Sequence, residues 1–122
     1  MTLSEGEQQA LAEYQRMLIE KHPQRLIRLV LFGSKARGDA GPKADVDVLV
    51  VLSDAHATQD GFYPLGLTDP VWREIIGDTF DVLMEYGVNI SPTLVSEDEY
   101  RHGTPIVARA EQEGVVLWTR PG

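Results

Sequence analysis

Apolar positions recur with two different periods along this 122-residue chain. From Glu5 to Lys21 they fall at helical spacing, at Leu11, Tyr14, Met17 and Leu18. Ser4 and Glu7 fit a capping box at the start of that helix, and His22-Pro23 ends it. Leu26 to Phe32 (LIRLVLF) and Val46 to Leu52 (VDVLVVL) are near-continuous apolar runs of strand length, the pattern of strands buried on both faces. Between them the sequence predicts a short helix over Lys35 to Arg37 and a Gly/Pro turn from Asp39 to Ala44. Ser53 to Leu67 is the longest irregular stretch, a functional or plain surface loop. Its apolar residues Phe62, Tyr63, Leu65 and Leu67 are open to either a contact patch or a fold-back onto the core. A second long helix opens at Thr68-Asp69-Pro70, with proline at the first helical position. Its apolar stripe is Val71, Trp72, Ile75, Ile76, Phe80, Leu83 and Met84, running to Tyr86, with Gly77 a candidate kink and Gly87 the closing glycine. Val88 to Val95 is a third strand, which Pro92 assigns to a sheet edge or a bulge. Ser96 to Glu99 is a capped helical turn. Thr104-Pro105 opens a last helix that runs to Glu113 and stops at Gly114, and Val115 to Thr119 is a short terminal strand. The order α-β-β-α-β-α-β predicts an α/β sandwich, a small mixed sheet flanked by helices, in a single domain over 1–122.

Composition narrows the class. An apolar fraction of 43% with 25% charge is ordinary for a folded soluble protein. No apolar run approaches the ~18 residues of a membrane span. The start MTLSEGEQQA lacks the basic and apolar regions of a signal peptide. With no cysteine, disulfides and thiolate metal sites are excluded, and the cytoplasm is the expected compartment. A net charge of −8 argues against broad nucleic-acid binding. The charge is unevenly spread, however. Lys21, Arg25, Arg28, Lys35, Arg37 and Lys43 fall in one window whose sole acid is Asp39. That window is either a solvated basic face or an anion cradle; Arg37, which sits inside the Gly33–Asp39 string, fits a cradle best, and Lys21, Arg25 and Lys43 fit the solvated face. His22, His56 and His102 are scattered without ligand spacing and are expected at the surface. Trp72 and Trp118 are expected in the core or an interface.

The candidate chemistry lies between Leu29 and Leu52. Gly33-Ser34 is followed, after ten residues, by Asp45-Val46-Asp47. Side chains alternate along a strand, so Asp45 and Asp47 point to one face. Two carboxylates placed so repel unless a cation sits between them, and Mg²⁺ prefers such oxygen ligands when substrate phosphates supply the rest. The Gly-Ser turn can offer a backbone N–H and a hydroxyl to those phosphates.

The spacing G-S-x10-D-x-D resembles the signature of the DNA polymerase β-like nucleotidyltransferase superfamily. The string Gly33-Ser34-Lys35-Ala36-Arg37-Gly38-Asp39 resembles its minimal nucleotidyltransferase branch, as does the ending PIVARAEQEGVVLW. The resemblance implies the polymerase β-like nucleotidyltransferase fold and transfer of AMP from ATP to a hydroxyl acceptor. It implies that Asp45 and Asp47 are catalytic ligands of Mg²⁺, that Gly33 and Ser34 hold the β- and γ-phosphates, and that Arg37 neutralises their charge. It also implies a partner, a small helical HEPN-type protein with toxin-like ribonuclease character, which the chain neutralises as an antitoxin by AMPylation or by binding. The superfamily uses a third carboxylate on a later strand. The segment Val88-Asn89-Ile90-Ser91-Pro92 holds none, and Asn89 stands near that place. Asp81, Glu85, Glu97 and Asp98 flank the segment and are expected to be exposed. Three functions therefore stay open: a transferase whose acceptor is a partner protein, a nucleotide-binding module that neutralises a partner by contact, and a transferase acting on a small molecule.

Overall fold

The computed structural model describes residues 3–39, 41, 44–53 and 70–121. Helix α1 (Glu5–Lys21) starts at the expected capping box: the Ser4 hydroxyl accepts from the Glu7 N–H at 3.1 Å, and the Glu7 carboxylate accepts from the Ser4 N–H at 2.9 Å. Strands β1 (Leu26–Phe32), β2 (Val46–Leu52), β3 (Ile90–Ser96) and β4 (Val115–Thr119) form one mixed sheet in the order β3-β2-β1-β4. β1 runs antiparallel to both β2 and β4, and β2 runs parallel to β3. The two continuous apolar strands are thus the central pair. Pro92 lies on the edge strand β3, opposite Val48, where a missing N–H is tolerated. β3 begins two residues later than the sequence suggests, and just before it the Asn89 carbonyl accepts from the Val46 N–H at 3.0 Å.

Strand alternation sorts the core into two layers. Leu29, Leu31, Val46, Val48 and Val50 pack with Leu11, Tyr14 and Leu18 of α1 and with Ile75 and Val82 of α3 (Pro70–Tyr86). Val30, Phe32, Leu49, Val51 and Val95 pack on the other face with Val107 and Ala110 of α5 (Pro105–Glu113). Leu49 is fully buried there, and truncating it to alanine would cost about 2–5 kcal/mol. Asp47 shares the alternation of Leu49 and Val51, so the sheet turns it toward the α5 side. The short helices α2 (Ser34–Arg37) and α4 (Glu97–His102) sit at the ends of β1 and β3, and Ser96 caps α4 with a second capping box.

Two expectations are corrected. The apolar stripe of α3 only partly coincides with its buried face. The face toward α1 carries Ile75, Asp78 and Val82, with Val71 and Tyr86 at its margins, and leaves Phe80 at 63% and Met84 at 85% exposure. A seventeen-residue helix with this many apolar positions offers more than one arc, and the spacing 71-75-78-82-86 selects the one that meets α1. Asp78 is tolerated in that face because the Lys21 ammonium lies 2.8 Å from its carboxylate. His22 is buried, not superficial, and burial pushes its imidazole below the usual histidine range. The helix runs unbroken through Gly77, and Gly87 adopts a positive φ of 69°. The expected loop beyond Ser53, with Phe62, Tyr63, Leu65 and Leu67, lies outside the described residues, as do the helix start at Thr68-Asp69, His56 and Lys43. No described helix is long and apolar enough to cross a membrane.

Candidate functional site

The site forms where β1 ends. Phe32 pairs with Asp47 across the β1–β2 ladder, so the residue after Phe32 must pass the Asp47 side chain. That residue is Gly33, at φ 77° and ψ −160°, a conformation open in practice to glycine alone. A Cβ there would lie 2.3 Å from Asp47 Oδ2. The turn therefore wraps directly around the carboxylate, which gives a physical reason for glycine at that spacing from the aspartate. Ser34 then opens α2, and Gly38 closes it at φ 87° by donating its N–H to the Ser34 carbonyl at 3.0 Å.

Asp45 is exposed and Asp47 half-buried. Partial burial raises the Asp47 pKa, and the neighbouring Asp45 charge raises it further, against an opposing pull from Arg37. The Asn89 amide donates to Asp45 Oδ1 at 3.0 Å. Among the described residues no set of three acidic, histidine or cysteine side chains converges as a metal cage. Two carboxylates beside a polar cavity fit Mg²⁺ all the same, because that ion takes one or two protein carboxylates and completes its shell with water and phosphate oxygens.

The basic window resolves residue by residue. Lys35 is 3% exposed and turns inward to an ion pair with Glu7 at 2.7 Å. Lys21 serves Asp78, and Arg25 is buried. Arg28 donates to Thr119 Oγ1 at 2.9 Å and lies 5.9 Å over the Tyr100 ring. Of the described members only Arg37 reaches the cavity. Its Nη1 donates to both oxygens of Glu113, at 3.1 and 3.2 Å, and its Nε to Asp39 Oδ2 at 3.1 Å.

The cavity holds about 350 Å³, within the range of small-molecule sites. Gly33, Ser34, Arg37 and Asp47 line it together, with Phe32; Asp45 stands outside the lining, two residues away on the same strand face. The remaining wall was not singled out from sequence: Thr93 of β3 and Ile106, Arg109 and Glu113 of α5. A signal existed, since 106, 109 and 113 fall on one helical face. Gly114 supplies another. A Cβ on it would lie 2.1 Å from the Ala110 carbonyl oxygen and 2.5 Å from Val30 Cγ1, so the end of α5 is pressed onto β1. That contact delivers Glu113 to the turn, where Oε1 accepts from the Gly33 N–H at 3.2 Å.

The model of the nucleotidyltransferase domain matches residues 11–103, which contain the turn, both aspartates and β3. The chain belongs to the nucleotidyltransferase domain family. Two proteins of Methanocaldococcus jannaschii that carry the name protein adenylyltransferase are similar to it. One is 34% identical over 70% of this chain and 52% of its own length, so the chain spans about half of that relative. The other is 29% identical over 76% of this chain and 77% of its own length. Two solved structures share the fold at 18% identity and a TM-score of 0.52. One is described as a nucleotidyltransferase from Sulfolobus solfataricus (92% of this chain, 79% of that one) and the other as a toxin–antitoxin with AMP-PNP (88% and 72%).

Within this nucleotidyltransferase domain the parallel strand beside β2 is neutral where it borders the cavity. Ser91 lies opposite Asp47, and Thr93 opposite Leu49. The flanking acids are elsewhere, as expected. Asp81 and Glu85 are exposed on α3, while Glu97 pairs with Arg101 and Asp98 with His102 within α4. None of the four lines the cavity. The arrangement sets a basic side chain and two carboxylates beside one cavity, with hydroxyl and amide groups, not a carboxylate, on the neighbouring strand.

Proposed function

We propose that this chain is a Mg²⁺-dependent adenylyltransferase, in one domain over 1–122, and the antitoxin of a small helical HEPN-type protein that it AMPylates. The observation that carries the donor half is the close approach of Gly33 to Asp47 at a cavity that also holds Arg37. Gly33 and Ser34 would face the β- and γ-phosphates of ATP, Arg37 would neutralise their charge, and Asp45 and Asp47 would ligate the metal. When bound, Mg²⁺ supplies charge neutralisation at the phosphates. The acceptor oxygen forms a bond to the α-phosphorus, the bond from that phosphorus to the bridging oxygen breaks, and pyrophosphate leaves. The proton of the acceptor hydroxyl goes to water or to a group on the acceptor protein. Most of the rate would come from positioning and charge compensation. The names of the two relatives and the toxin–antitoxin neighbour support adenylyl transfer to a protein partner, and a reaction that consumes ATP would act in the cytoplasm.

The neutral face of β3 favours one alternative, a nucleotide-binding module that neutralises its partner by contact. One experiment separates the two. The chain is co-expressed with a small helical HEPN-type protein as candidate partner, and that partner is weighed by intact-mass spectrometry with native or Asp45→Asn/Asp47→Asn chain. Adenylyl transfer predicts a partner heavier by one AMP with the native chain only. Neutralisation by the double variant, with an unmodified partner, would instead establish contact as sufficient.

A further inference from the structure

Glu113 is the one acid inside the wall of the cavity that belongs neither to the aspartate pair nor to the turn, and it occupies donors that a phosphate would use. Its Oε1 accepts from the Gly33 N–H at 3.2 Å and from Arg37 Nη1 at 3.1 Å, and its Oε2 from the same Nη1 at 3.2 Å. A carboxylate held by one backbone N–H and one guanidinium is chemically the contact set of a phosphoryl group. The helix end that carries it is seated closely on β1, because at Gly114 a Cβ would lie 2.1 Å from the Ala110 carbonyl oxygen and 2.5 Å from Val30 Cγ1. Arg109 lies one helical turn before Glu113, lines the same cavity and has no ion pair among the described residues.

We propose that Glu113 is an internal stand-in for phosphate: it holds the Gly33–Arg37 donors in the free protein and must be displaced, toward Arg109, when a polyphosphate binds. This rests on the nucleotide-site reading above. Two anions cannot share Arg37 and the Gly33 N–H at those distances without strong repulsion, so binding exchanges one for the other. Arg109 at the i−4 position gives the departing carboxylate a cation within helical side-chain reach. Two consequences follow. The empty site is shielded against stray small anions, which hold too few contacts to evict the carboxylate. A triphosphate with its metal carries enough charge to do so.

The test is calorimetric titration of the full chain with inorganic triphosphate and, separately, with ATP and Mg²⁺, comparing native protein with Glu113→Gln. Glutamine keeps an oxygen for the Gly33 N–H but removes the competing charge. Triphosphate should bind about 10-fold more tightly to Glu113→Gln, and the gain should vanish in Arg37→Gln/Glu113→Gln, where the contested cation is gone. Circular dichroism checks that each variant is folded. If Glu113→Gln does not fold, Glu113→Asp draws the carboxylate back by one methylene and should show part of the gain. Equal or weaker binding by the variant, with native protein binding normally, would overturn the stand-in and make Glu113 a brace that holds Arg37 in place. Absence of ATP binding to every folded form would overturn both the stand-in and the nucleotide site.

Discussion

Strands β2 and β3 lie side by side, parallel and in register, yet they bring opposite chemistry to one cavity. β2 lines it with Asp47 and β3 with Thr93; beside the cavity, Asp45 precedes β2, and Asn89 and Ser91 stand at the start of β3. The fold places both sets equally well, so the asymmetry is a matter of side-chain choice, not of geometry. It separates a charged half, suited to metal and triphosphate, from a neutral half on the strand where a third carboxylate would act. The largest expected effect comes from erasing the difference on the charged side. Asp45→Asn/Asp47→Asn should weaken Mg²⁺-dependent ATP binding roughly 100-fold or more, about 2.7 kcal/mol, while the circular dichroism spectrum stays native. Calorimetry at fixed Mg²⁺ reads this directly, and unchanged affinity would mean that the nucleotide is not held through β2 at all.

The charged half also depends on a backbone that no other residue can adopt. Gly33→Ala would place a methyl carbon 2.3 Å from Asp47 Oδ2, inside van der Waals contact distance, and force an L-residue to a φ of 77°. We expect a loss of about 2–3 kcal/mol and a melting temperature lower by roughly 10 °C, from strain and the displaced carboxylate together. Nucleotide binding should fall with it. A variant at Gly77, which meets nothing within 4 Å and sits at ordinary helical φ, gives the contrast: alanine there should be neutral or stabilising.

Most of the fold and half of the cavity wall were legible in the sequence, for identifiable reasons. α1, β1, β2 and α5 fall at their expected bounds because capping residues and unbroken apolar runs specify them locally. The motif from Gly33 to Asp47 was legible because a hairpin of fixed register forces glycine next to aspartate. Lys35 shows the limit. It stands two positions from Arg37 in the same short helix, yet it turns to Glu7, and only the packing of α1 against α2 decides that. Glu113 and Arg109 escaped because they reach the cavity from a helix about seventy residues downstream of the motif, through the Gly114 contact on β1. Asp78 sits in the buried face of α3 only because its partner Lys21 lies in another helix. What sequence withheld, in each case, was a pairing between distant elements.

The neutral half can be made charged. Ser91→Asp would set a third carboxylate directly across the ladder from Asp47. If the acceptor side lacks only a base and ligand, AMP transfer to the partner should rise about 10-fold, a modest share of what a positioned general base supplies. Intact-mass time courses at saturating ATP would measure it. No gain, with binding intact, would mean that the partner already provides the group, or that contact rather than transfer is what the protein is built for.

The smallest effect isolates the strain within the charged half itself. The folded-state pKa of Asp47 is raised above its ordinary value of 3.8, chiefly by burial and then by Asp45. A carboxyl of this kind binds its proton more tightly when folded, so its contribution to stability is present below pH 3.8 and is lost as pH rises through the elevated value. At neutral pH, without metal, the ionised Asp47 therefore opposes folding. Asp47→Asn should melt slightly higher than native protein at pH 7, and the gap should close as pH falls toward the ordinary carboxylate range. Saturating Mg²⁺ with ATP should reverse the order, since only the native chain gains the bound cation. Melting curves at both pH values, with and without Mg²⁺ and ATP, would show it. A variant less stable than native under every condition would mean that Asp47 is held by the fold for structure, with no carboxylate left poised for a metal.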